Sequence, residues 1–584
     1  MKCSKLLFLL LAVLSAGSLA RSAERPNVLL IICDDLNTDL SGYDGHPQSH
    51  TPNIERLMNE SVSFKQAHCT IPICAPSRSS FLTGIYPHTS NNFGMSHWQK
   101  NEILANSSTI SGHFKRNGYY TLGTGKVMHH YVTDQWDEFK SESDYGPYAY
   151  DGEKDGPHPM TPSPLCDDFG KIDGSFGPFV KLEGRDFGDG KQYRWRSGNW
   201  KTTYDIPFNS EDDRGFTADE SNAQWAIERL KELGSRQRDQ PFFMAVGFMR
   251  PHTPLIVPKR FFDQYPIETL DLPVILEGDA DDTFLLQSRG GNDRGRKIYN
   301  SLVASYGGDR ELALKHYVQA YLACVASVDE HMGGILDTME ANGLMKNTII
   351  VLTSDHGWGN GPKDVVYKNT LWEESTRVPL IIRAPGVSGS KLEVRHPVSL
   401  IDLFPTLIEL CDLPQETRLN EKGVPLDGHS LVPFLRKADK AKWNGPSAAL
   451  TAVHKWSDLD PAMQSFSLRS KDWRYVRYHT GDEELYHNAA DRYEWTNLAL
   501  KPEYRTVLNA FRNSLKERVY DSFTNQARAA KQDAPEVKSA EPLDSGEAWK
   551  NKYFKKNPEA DVNGDGELSW PEFKKHKSML DSNA

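Results

Sequence analysis

The sequence predicts an α/β protein with a large, mostly parallel sheet and helices on both faces, followed by a smaller domain with an antiparallel sheet. Three observations lead to this prediction. Near-continuous apolar runs alternate with segments of helical periodicity, as in parallel sheets that are buried on both faces. Three of these runs end in polar clusters, as strands do beside a ligand site. After about Cys411 the pattern changes to alternating apolar and polar residues.

Four apolar runs are predicted as buried strands, at residues 27–33, 241–248, 348–353 and 378–383. Helical patterns are predicted at residues 218–233, 312–342 and 400–411. Because strands and helices alternate over this stretch, residues 24–412 are assigned to one α/β domain, which we expect to be catalytic.

A smaller α+β domain is predicted for residues 413–526. Residues 466–479 alternate apolar and polar side chains, which indicates antiparallel strands with one solvated face. Residues 504–523 are predicted to form a helix that packs this domain back on the first. Residues 527–546 lack periodicity and are predicted to be a linker.

The first residues combine lysines, an apolar run and a small-residue end, which is typical of a signal peptide over residues 1–23. We therefore expect a secreted or periplasmic protein that does not span a membrane. The net charge of -11 argues against a nucleic-acid partner. The widely spaced cysteines do not form a disulfide framework, and Cys33, Cys324 and Cys411 are predicted to be buried thiols.

Polar residues follow three of the predicted strands. Asp34 and Asp35 follow the first, an Arg-Pro-His segment ending at His252 follows the second, and Asp355 and His356 follow the third. Strand ends of such sheets meet at one crevice. Adjacent carboxylates repel unless a cation lies between them, and oxygen ligands suit Ca²⁺. The sequence therefore predicts a cation site at this crevice.

A short motif gives the chemistry of this site. Cys74-Ala75-Pro76-Ser77-Arg78 resembles the signature of type I sulfatases, in which a Cys-x-Pro-Ser-Arg core directs conversion of the cysteine to formylglycine. The alternative is a chance cysteine before a helix that starts at Arg78 with Ser77 as its N-cap.

Other segments argue against that alternative, because they resemble sulfatase segments in the family's order. They are the Gly-Lys-x-x-His pattern with Lys126 and His129, the Arg-Pro-His segment with His252, and residues 367–381 with Lys368. The resemblance covers residues 26–413 and extends faintly to Asn497. Several segments are similar to the iduronate-2-sulfatase group.

The resemblance implies an alkaline-phosphatase-like sulfatase fold and a set of site residues. The catalytic residues it implies are Cys74, Arg78, Lys126, His129, His252 and Lys368. The calcium ligands it implies are Asp34, Asp35, residue 74, Asp355 and His356. Many members have asparagine at the last position, so His356 is alternatively a hydrogen-bond partner of the bound sulfate. Conversion of Cys74 implies a formylglycine-generating or anaerobic sulfatase-maturating enzyme as a partner.

The predicted function is hydrolysis of an O-sulfate ester on a uronic acid or another sugar of a sulfated glycan. A choline-sulfatase and a phosphodiesterase or phosphonate hydrolase of the same superfamily remain alternatives. A non-catalytic, calcium-stabilised adhesion protein is a further alternative, against which the complete set of site residues argues.

A separate motif occupies residues 561–572, within a module predicted for residues 547–584. It matches an EF-hand loop at every position, with Gly566 at the sharp turn. The predicted calcium ligands are Asp561, Asn563, Asp565, Glu567, Ser569 and Glu572. The sequence does not indicate a partner for this module.

Overall fold

The computed structural model of this protein describes residues 25–199, 201–235, 240–455 and 459–521. The predicted signal peptide, linker and EF-hand module lie outside these residues. Within the described residues, no helix is long and apolar enough to cross a membrane.

The core of the molecule is an eight-stranded sheet. Its strands are β1 (Asn27–Asp34), β2 (Val62–Phe64), β3 (Tyr120–Gly125), β4 (Glu138–Phe139), β5 (Phe242–Pro251), β6 (Thr348–Ser354), β7 (Leu380–Arg383) and β8 (Leu392–Val394). Their order across the sheet is β8-β2-β7-β6-β1-β5-β3-β4. β1 lies between β5 and β6 and is parallel to both, so the ends of these three strands are neighbours.

The sheet is mixed, and the prediction of a fourth parallel strand at residues 378–383 is wrong. β7 pairs antiparallel with both β6 and β2. A parallel connection usually needs a crossover helix. Between β6 and β7 the chain forms only short elements, of which the helical ones are a 3₁₀ turn at Pro362–Asp364 and a four-residue helix at Glu373–Thr376. The apolar run indicated burial correctly but carries no information on strand direction.

Helices cover both faces of the sheet. The longer ones are α1 (Pro52–Asn59), α2 (Cys74–Thr83), α3 (Ile110–Arg116), α4 (Leu165–Asp173), α5 (Ala218–Ser235), α6 (Arg294–Ser305), α7 (Arg310–Ala341), α8 (Leu403–Leu410) and α9 (Arg505–Leu515). Successive residues of β1 enter two hydrophobic clusters, one with α5 and α7 and the other with α3 and α8. The predicted helices at 218–233 and 312–342 correspond to α5 and α7. The third begins with a 3₁₀ turn at Leu400–Asp402 and continues as α8.

A second, antiparallel sheet lies in the C-terminal part of the described chain. Its strands are β9 (Ala448–Val453), β10 (Ser465–Ser470), β11 (Arg474–Arg477) and β12 (Glu483–Tyr486), each paired with the next. α9 follows and is continued by a π-helical turn, Lys516–Asp521. Leu508 and Leu515 of α9 share a hydrophobic cluster with Tyr86 and Ile401. This sheet therefore packs on the α/β part, as the sequence predicted for its helix.

The described cysteines are all free thiols. Cys33, Cys324 and Cys411 are at most 1% exposed, which confirms the prediction that they are buried. Cys74 is also buried, but at the end of a cavity instead of within a hydrophobic cluster.

Candidate active site

The site lies where β1, β5 and β6 end. Cys33 pairs with Ser354 and Asp34 pairs with Pro251, so Asp34 and Asp355 are carried on adjacent strands. Asp34, Asp35 and Asp355 are completely buried. Asp35 adopts a left-handed backbone conformation with φ of 64°, which is uncommon for residues other than glycine and often found at functional sites.

Helix α2 brings residue 74 to these acids. The helix begins at Cys74 itself, with Ile73 as its N-cap. Ser77 lies inside the helix, and its hydroxyl donates a hydrogen bond to the backbone oxygen of Asp355. The alternative in which Ser77 caps a helix starting at Arg78 is therefore wrong. Ser77 instead ties α2 to the end of β6.

Arg78 links the strand ends to one another. Its Nε donates to Asp355 Oδ2 at 2.9 Å and its Nη2 donates to Asp34 Oδ1 at 3.3 Å. Its Nη1 donates to the backbone oxygens of Lys126 and Val127. One buried guanidinium thus holds three strands and α2 in a fixed arrangement, with geometry that only arginine provides.

Two lysines complete the ion pairs. Lys126 directly follows β3, and its Nζ donates to Asp34 Oδ2. Lys368 Nζ donates to Asp35 Oδ1 at 2.7 Å and to Cys74 Sγ at 3.1 Å. Lys368 therefore contacts both the acid pair and the predicted nucleophile.

The surroundings shift the pKa values of the adjacent acids Asp34 and Asp35 in opposite directions. Burial tends to raise the pKa of Asp34, but Lys126, His252 and Arg78 hold that pKa well below its ordinary value. For Asp35 burial prevails over the attraction of Lys368, and the neighbouring Asp34 adds to it, so the pKa of Asp35 is raised. Asp35 is thus the acid that most needs a further cation.

The thiol of Cys74 is a poor nucleophile here. Burial raises its pKa above the ordinary value, and the charge of Asp34 raises it further despite Lys126 and Lys368. A thiol reacts as its thiolate, so this environment does not activate the unmodified cysteine.

Three histidines lie around residue 74. His356 Nε2 is 3.4 Å from Cys74 Sγ, and His252 Nε2 is 3.9 Å from Asp35 Oδ2. His129 Nδ1 is buried without a hydrogen-bond partner among the described residues. Burial, followed by the charge of Lys126, lowers the pKa of His129 to about 3. Burial and the charge of Lys368 lower the pKa of His252 as well. At neutral pH both imidazoles are therefore uncharged.

The donor atoms fit a cation. Ligand atoms of Asp34, Cys74, Asp355 and His356 lie within 4.8 Å of one another, as do those of Asp35, Cys74 and His252. Asp35 Oδ2 is buried and has no hydrogen-bond partner among the described residues. Three buried carboxylates with an unpaired oxygen suit Ca²⁺, whereas a thiol does not. The set fits calcium best when residue 74 also offers an oxygen.

A cavity of about 650 Å³ opens over Cys74. His129, His252 and Lys368 also line it, while Arg78 and Lys126 contact the acids at its end. The structure therefore brings all the predicted catalytic residues to one place. The predicted EF-hand ligands lie outside the described residues.

Sequence reasoning missed other residues that line this cavity. They include Tyr145, Arg289, Arg294, Asn369, His454, Lys455, Tyr478 and His479. Asn369 directly follows Lys368 and could have been found through that neighbour. The remainder come from loops, from the first residue of α6 and from the residues that follow β9 and β11, where no motif marks them.

Comparison with known proteins agrees with this geometry. The profile of the sulfatase family matches residues 26–413, and the profile "N-sulphoglucosamine sulphohydrolase, C-terminal" matches residues 361–521. A sulfatase of Formosa agariphila is 32% identical over 501 residues, which cover 84% of this chain and 86% of the relative. Iduronate 2-sulfatase of Mus musculus is 29% identical over 529 residues, which cover 80% of this chain and 87% of the relative.

The fold is also found among solved structures. A protein solved in complex with its substrate D-glucosamine-2-N,6-O-disulfate superimposes with a TM-score of 0.60 at 20% identity, covering 85% of this chain and 98% of that one. The predicted sulfatase fold is thereby confirmed. From the family profile over most of its length and the 32% identical relative, we conclude that this chain belongs to the sulfatase family, whose members hydrolyse sulfate esters.

Proposed function

We propose that this protein hydrolyses an O-sulfate ester on a uronic acid or another sugar of a sulfated glycan, with residue 74 converted to formylglycine. The observation that carries the proposal is the position of Cys74 Sγ at the end of the cavity, 3.1 Å from Lys368 Nζ and 3.4 Å from His356 Nε2. A nucleophile there meets an incoming sulfate between a cation and an imidazole.

Conversion of Cys74 is supported by its surroundings. The pKa of the thiol is raised by burial, so the unmodified side chain stays protonated and weakly nucleophilic. Conversion breaks the C–S bond, releases the sulfur as hydrogen sulfide and forms an aldehyde whose oxygen comes from water or dioxygen. This two-electron oxidation requires a maturating enzyme and an external electron acceptor. When residue 74 is formylglycine, its hydrated form supplies a hydroxyl nucleophile, and the second hydroxyl allows sulfate to be expelled as the aldehyde re-forms.

Calcium would be held by Asp34, Asp355 and the oxygen of residue 74, whose donor positions lie together, and by Asp35 through its unpaired Oδ2. His356 would be a fifth ligand or a hydrogen-bond donor to the sulfate. When bound, the ion stabilises negative charge on oxygens of the nucleophile and the sulfate.

The remaining groups bind charge and move protons. Lys126 and Lys368 stabilise the negative charge on the sulfate oxygens during transfer, from positions beside Asp34 and residue 74. Lys368, or His252 when its imidazole carries a second proton, protonates the departing sugar oxygen. His129, with its unpaired buried Nδ1, takes the proton that is released when sulfate leaves residue 74.

A sulfated sugar is favoured over a long polyanion. The cavity of about 650 Å³ is large enough for a small saccharide. The net charge of -11 disfavours indiscriminate binding of polyanions. The cavity itself is cationic, since Arg289, Arg294, Lys368 and Lys455 line it. The relatives named above include an iduronate 2-sulfatase, which supports a uronic acid as one substrate.

The termini add two further proposals. Residues 1–23 act as a signal peptide that directs the protein to the periplasm or the exterior, where sulfated glycans occur. The loop at residues 561–572 binds a second calcium ion, which serves attachment or local stability and not catalysis.

The test is a panel of matched esters: a sulfated uronic acid disaccharide, choline sulfate, an aryl sulfate and an aryl phosphonate. We expect the matured enzyme to release sulfate from the sugar with the highest kcat/KM. A preference for choline sulfate or for the phosphonate would contradict the proposal. A Cys74→Ala enzyme purified in parallel controls for contaminating activity.

A further inference from the structure

The cavity holds cationic side chains that the sulfate site does not use. Besides Lys368, the lining includes Arg289, Arg294 and Lys455. A single sulfate ester needs the groups around residue 74 only, so additional cations in the same cavity call for their own explanation. The contacts of the two arginines differ in a way that distinguishes their roles.

Arg294 is already neutralised within the protein. Its Nε and Nη2 both donate to Asp173 Oδ2, at 3.0 and 2.5 Å. Its guanidinium lies over the ring of Tyr367, and its side chain is 51% exposed. Such a paired and solvated arginine needs no ligand.

Arg289 is largely buried, and its ion pair with a carboxylate of the described residues is a long one. Its side chain is 13% exposed, and the nearest carboxylate oxygen, Asp293 Oδ2, is 4.0 Å from its Nε. The other oxygen of Asp293 accepts a hydrogen bond from the backbone of Arg296 at the start of α6. A largely buried charge that is only weakly paired is costly. This guanidinium is therefore suited to an anion that arrives with the substrate.

Asn369 links Arg289 to the sulfate site. Its backbone oxygen accepts a hydrogen bond from Arg289 Nη2 at 3.0 Å, and it directly follows Lys368, which contacts Cys74 Sγ. Asn369 lines the cavity in a left-handed conformation with φ of 70°. Its Oδ1 is buried and has no hydrogen-bond partner in the described part of the chain. An unpaired acceptor beside a weakly paired cation offers the acceptor and donor pattern that a substituted sugar matches.

We propose that Arg289 and Asn369 form a second subsite, which binds a further anionic group of the substrate and selects for sugars that carry one. Arg289 holds a carboxylate or a second sulfate through its guanidinium fork, and Asn369 Oδ1 accepts a hydrogen bond from a neighbouring sugar hydroxyl. This inference rests on the proposed function and narrows its substrate class to sugars with at least two anionic groups.

The test compares two matched pairs of substrates. The first pair is a 2-O-sulfated uronic acid disaccharide and its carboxyl methyl ester. The second is an N,6-O-disulfated glucosamine and its 6-O-monosulfate. For each pair, the ratio of kcat/KM between the doubly and the singly anionic member measures the selectivity. The pair with the larger ratio shows whether a carboxylate or a second sulfate is recognised.

We expect a clear preference of the wild-type enzyme for the doubly anionic member of one pair. Arg289→Met should reduce that ratio by about 10- to 100-fold, the range for a hydrogen bond to a charged group. Arg289→Lys should retain part of the ratio because the charge remains. Arg294→Met is the matched control and should leave the ratio unchanged, since Arg294 is paired with Asp173.

Several outcomes would overturn the inference. An unchanged ratio in Arg289→Met, or an equal fall in Arg294→Met, excludes a subsite at Arg289. A loss of turnover that is equal for both members of a pair, in a variant with a wild-type melting temperature, indicates a structural role through Asn369. If the wild-type enzyme hydrolyses sulfates without any preference, the subsite proposal is excluded and the proposed function stands. If it hydrolyses no sulfate, both the subsite and the proposed function are excluded.

Discussion

At the scale of single residues, the site is a balance of buried charges. Asp34, Asp35 and Asp355 are completely buried, and their partners are Arg78, Lys126 and Lys368. Removing one member of such a set leaves its partner uncompensated, which costs about 3–5 kcal/mol. A substitution at any of these residues is therefore expected to lower stability as well as activity.

A fourth acid, the partly buried Glu374, lies outside this balance and makes the stability of the protein depend on pH. Burial raises the pKa of Glu374 to about 8, and the nearby charge of Asp39 adds to the effect. In the unfolded chain a glutamate titrates near 4.3. Between these values the folded protein binds more protons than the unfolded chain, so stability falls as pH rises through this window.

We expect Glu374→Gln to weaken this pH dependence. The amide carries no charge and retains an oxygen that can accept the hydrogen bond from the backbone of Asn360. The melting temperature of the wild type should fall more steeply between pH 5 and pH 8 than that of the variant, with a difference of up to about 4 kcal/mol in the free energy of unfolding. Glu268→Gln, on the surface, is the control and should follow the wild type. Parallel curves for all three proteins would contradict the assignment.

Residues in motifs could be predicted from the sequence, and isolated residues could not. Cys74, Arg78 and Lys126 belong to short patterns whose chemistry requires these residue types at that spacing. Arg289 lies in a loop without any pattern, and its lack of a close counter-ion is visible only once the neighbouring carboxylate has been placed at 4.0 Å.

At the scale of elements, the close approach of β3 and β5 positions Lys126. The backbone nitrogen of Lys126 donates to Gly247 of β5 at 3.0 Å. A Cβ on Gly247 would lie 2.2 Å from the carbonyl carbon of Lys126. Glycine is required here because backbone, and not a flexible side chain, occupies the space.

We expect Gly247→Ala to impair both stability and turnover. The added methyl group must displace the backbone of Lys126, whose oxygen also accepts a hydrogen bond from Arg78. The free energy of unfolding should fall by about 1–3 kcal/mol, and kcat/KM should fall by about tenfold or more because the sulfate-binding lysine is misplaced. Denaturant titration and sulfate release measure the two effects.

The matched control is Gly156→Ala. A Cβ there would have Ala149 O as its nearest neighbour, at 3.6 Å, which is an ordinary contact. Its stability should stay within about 0.5 kcal/mol of the wild type. Equal behaviour of the two alanine variants would show that the approach of β3 and β5 does not position Lys126.

Helices and strands with long, regular sequence patterns could be predicted. The direction of a strand and the presence of very short strands, which depend on pairing with distant parts of the chain, could not. α5 and α7 follow from their periodicity, and β1 and β6 from their apolar runs. The antiparallel direction of β7 depends on the connection that precedes it. A small four-stranded sheet within residues 148–206 was not predicted, because strands of 2 to 5 residues carry too few side chains for a period to be visible.

At the scale of the whole molecule, the cavity is formed by two parts of the chain. The α/β part supplies Cys74 and Lys368, whereas the C-terminal sheet supplies Val453 and Ser465, and Tyr478 directly follows its strand β11. Chemistry is therefore assigned to the strand ends of the large sheet, and part of the substrate contact to the smaller one. This division explains why the sequence indicated the reaction but left the substrate open.

We expect a chain that ends at Lys538 to keep its turnover of an aryl sulfate. The predicted EF-hand loop at residues 561–572 is then absent, and the protein should lose one bound calcium ion, measured by atomic emission. Asp355→Ala in the full chain should instead abolish turnover and retain the ion of the EF-hand. A truncated enzyme that stays folded but loses most of its activity would show that the EF-hand is coupled to catalysis.

The central claim is that the nucleophile is made from Cys74, and peptide mass spectrometry tests it most directly. The peptide that contains residue 74 is measured in enzyme produced with and without a sulfatase-maturating enzyme, alongside its rate of sulfate release. We expect an aldehyde at residue 74 in active preparations and a rate that rises in proportion to the aldehyde fraction. A fully active preparation with an unmodified thiol at residue 74 would contradict the account.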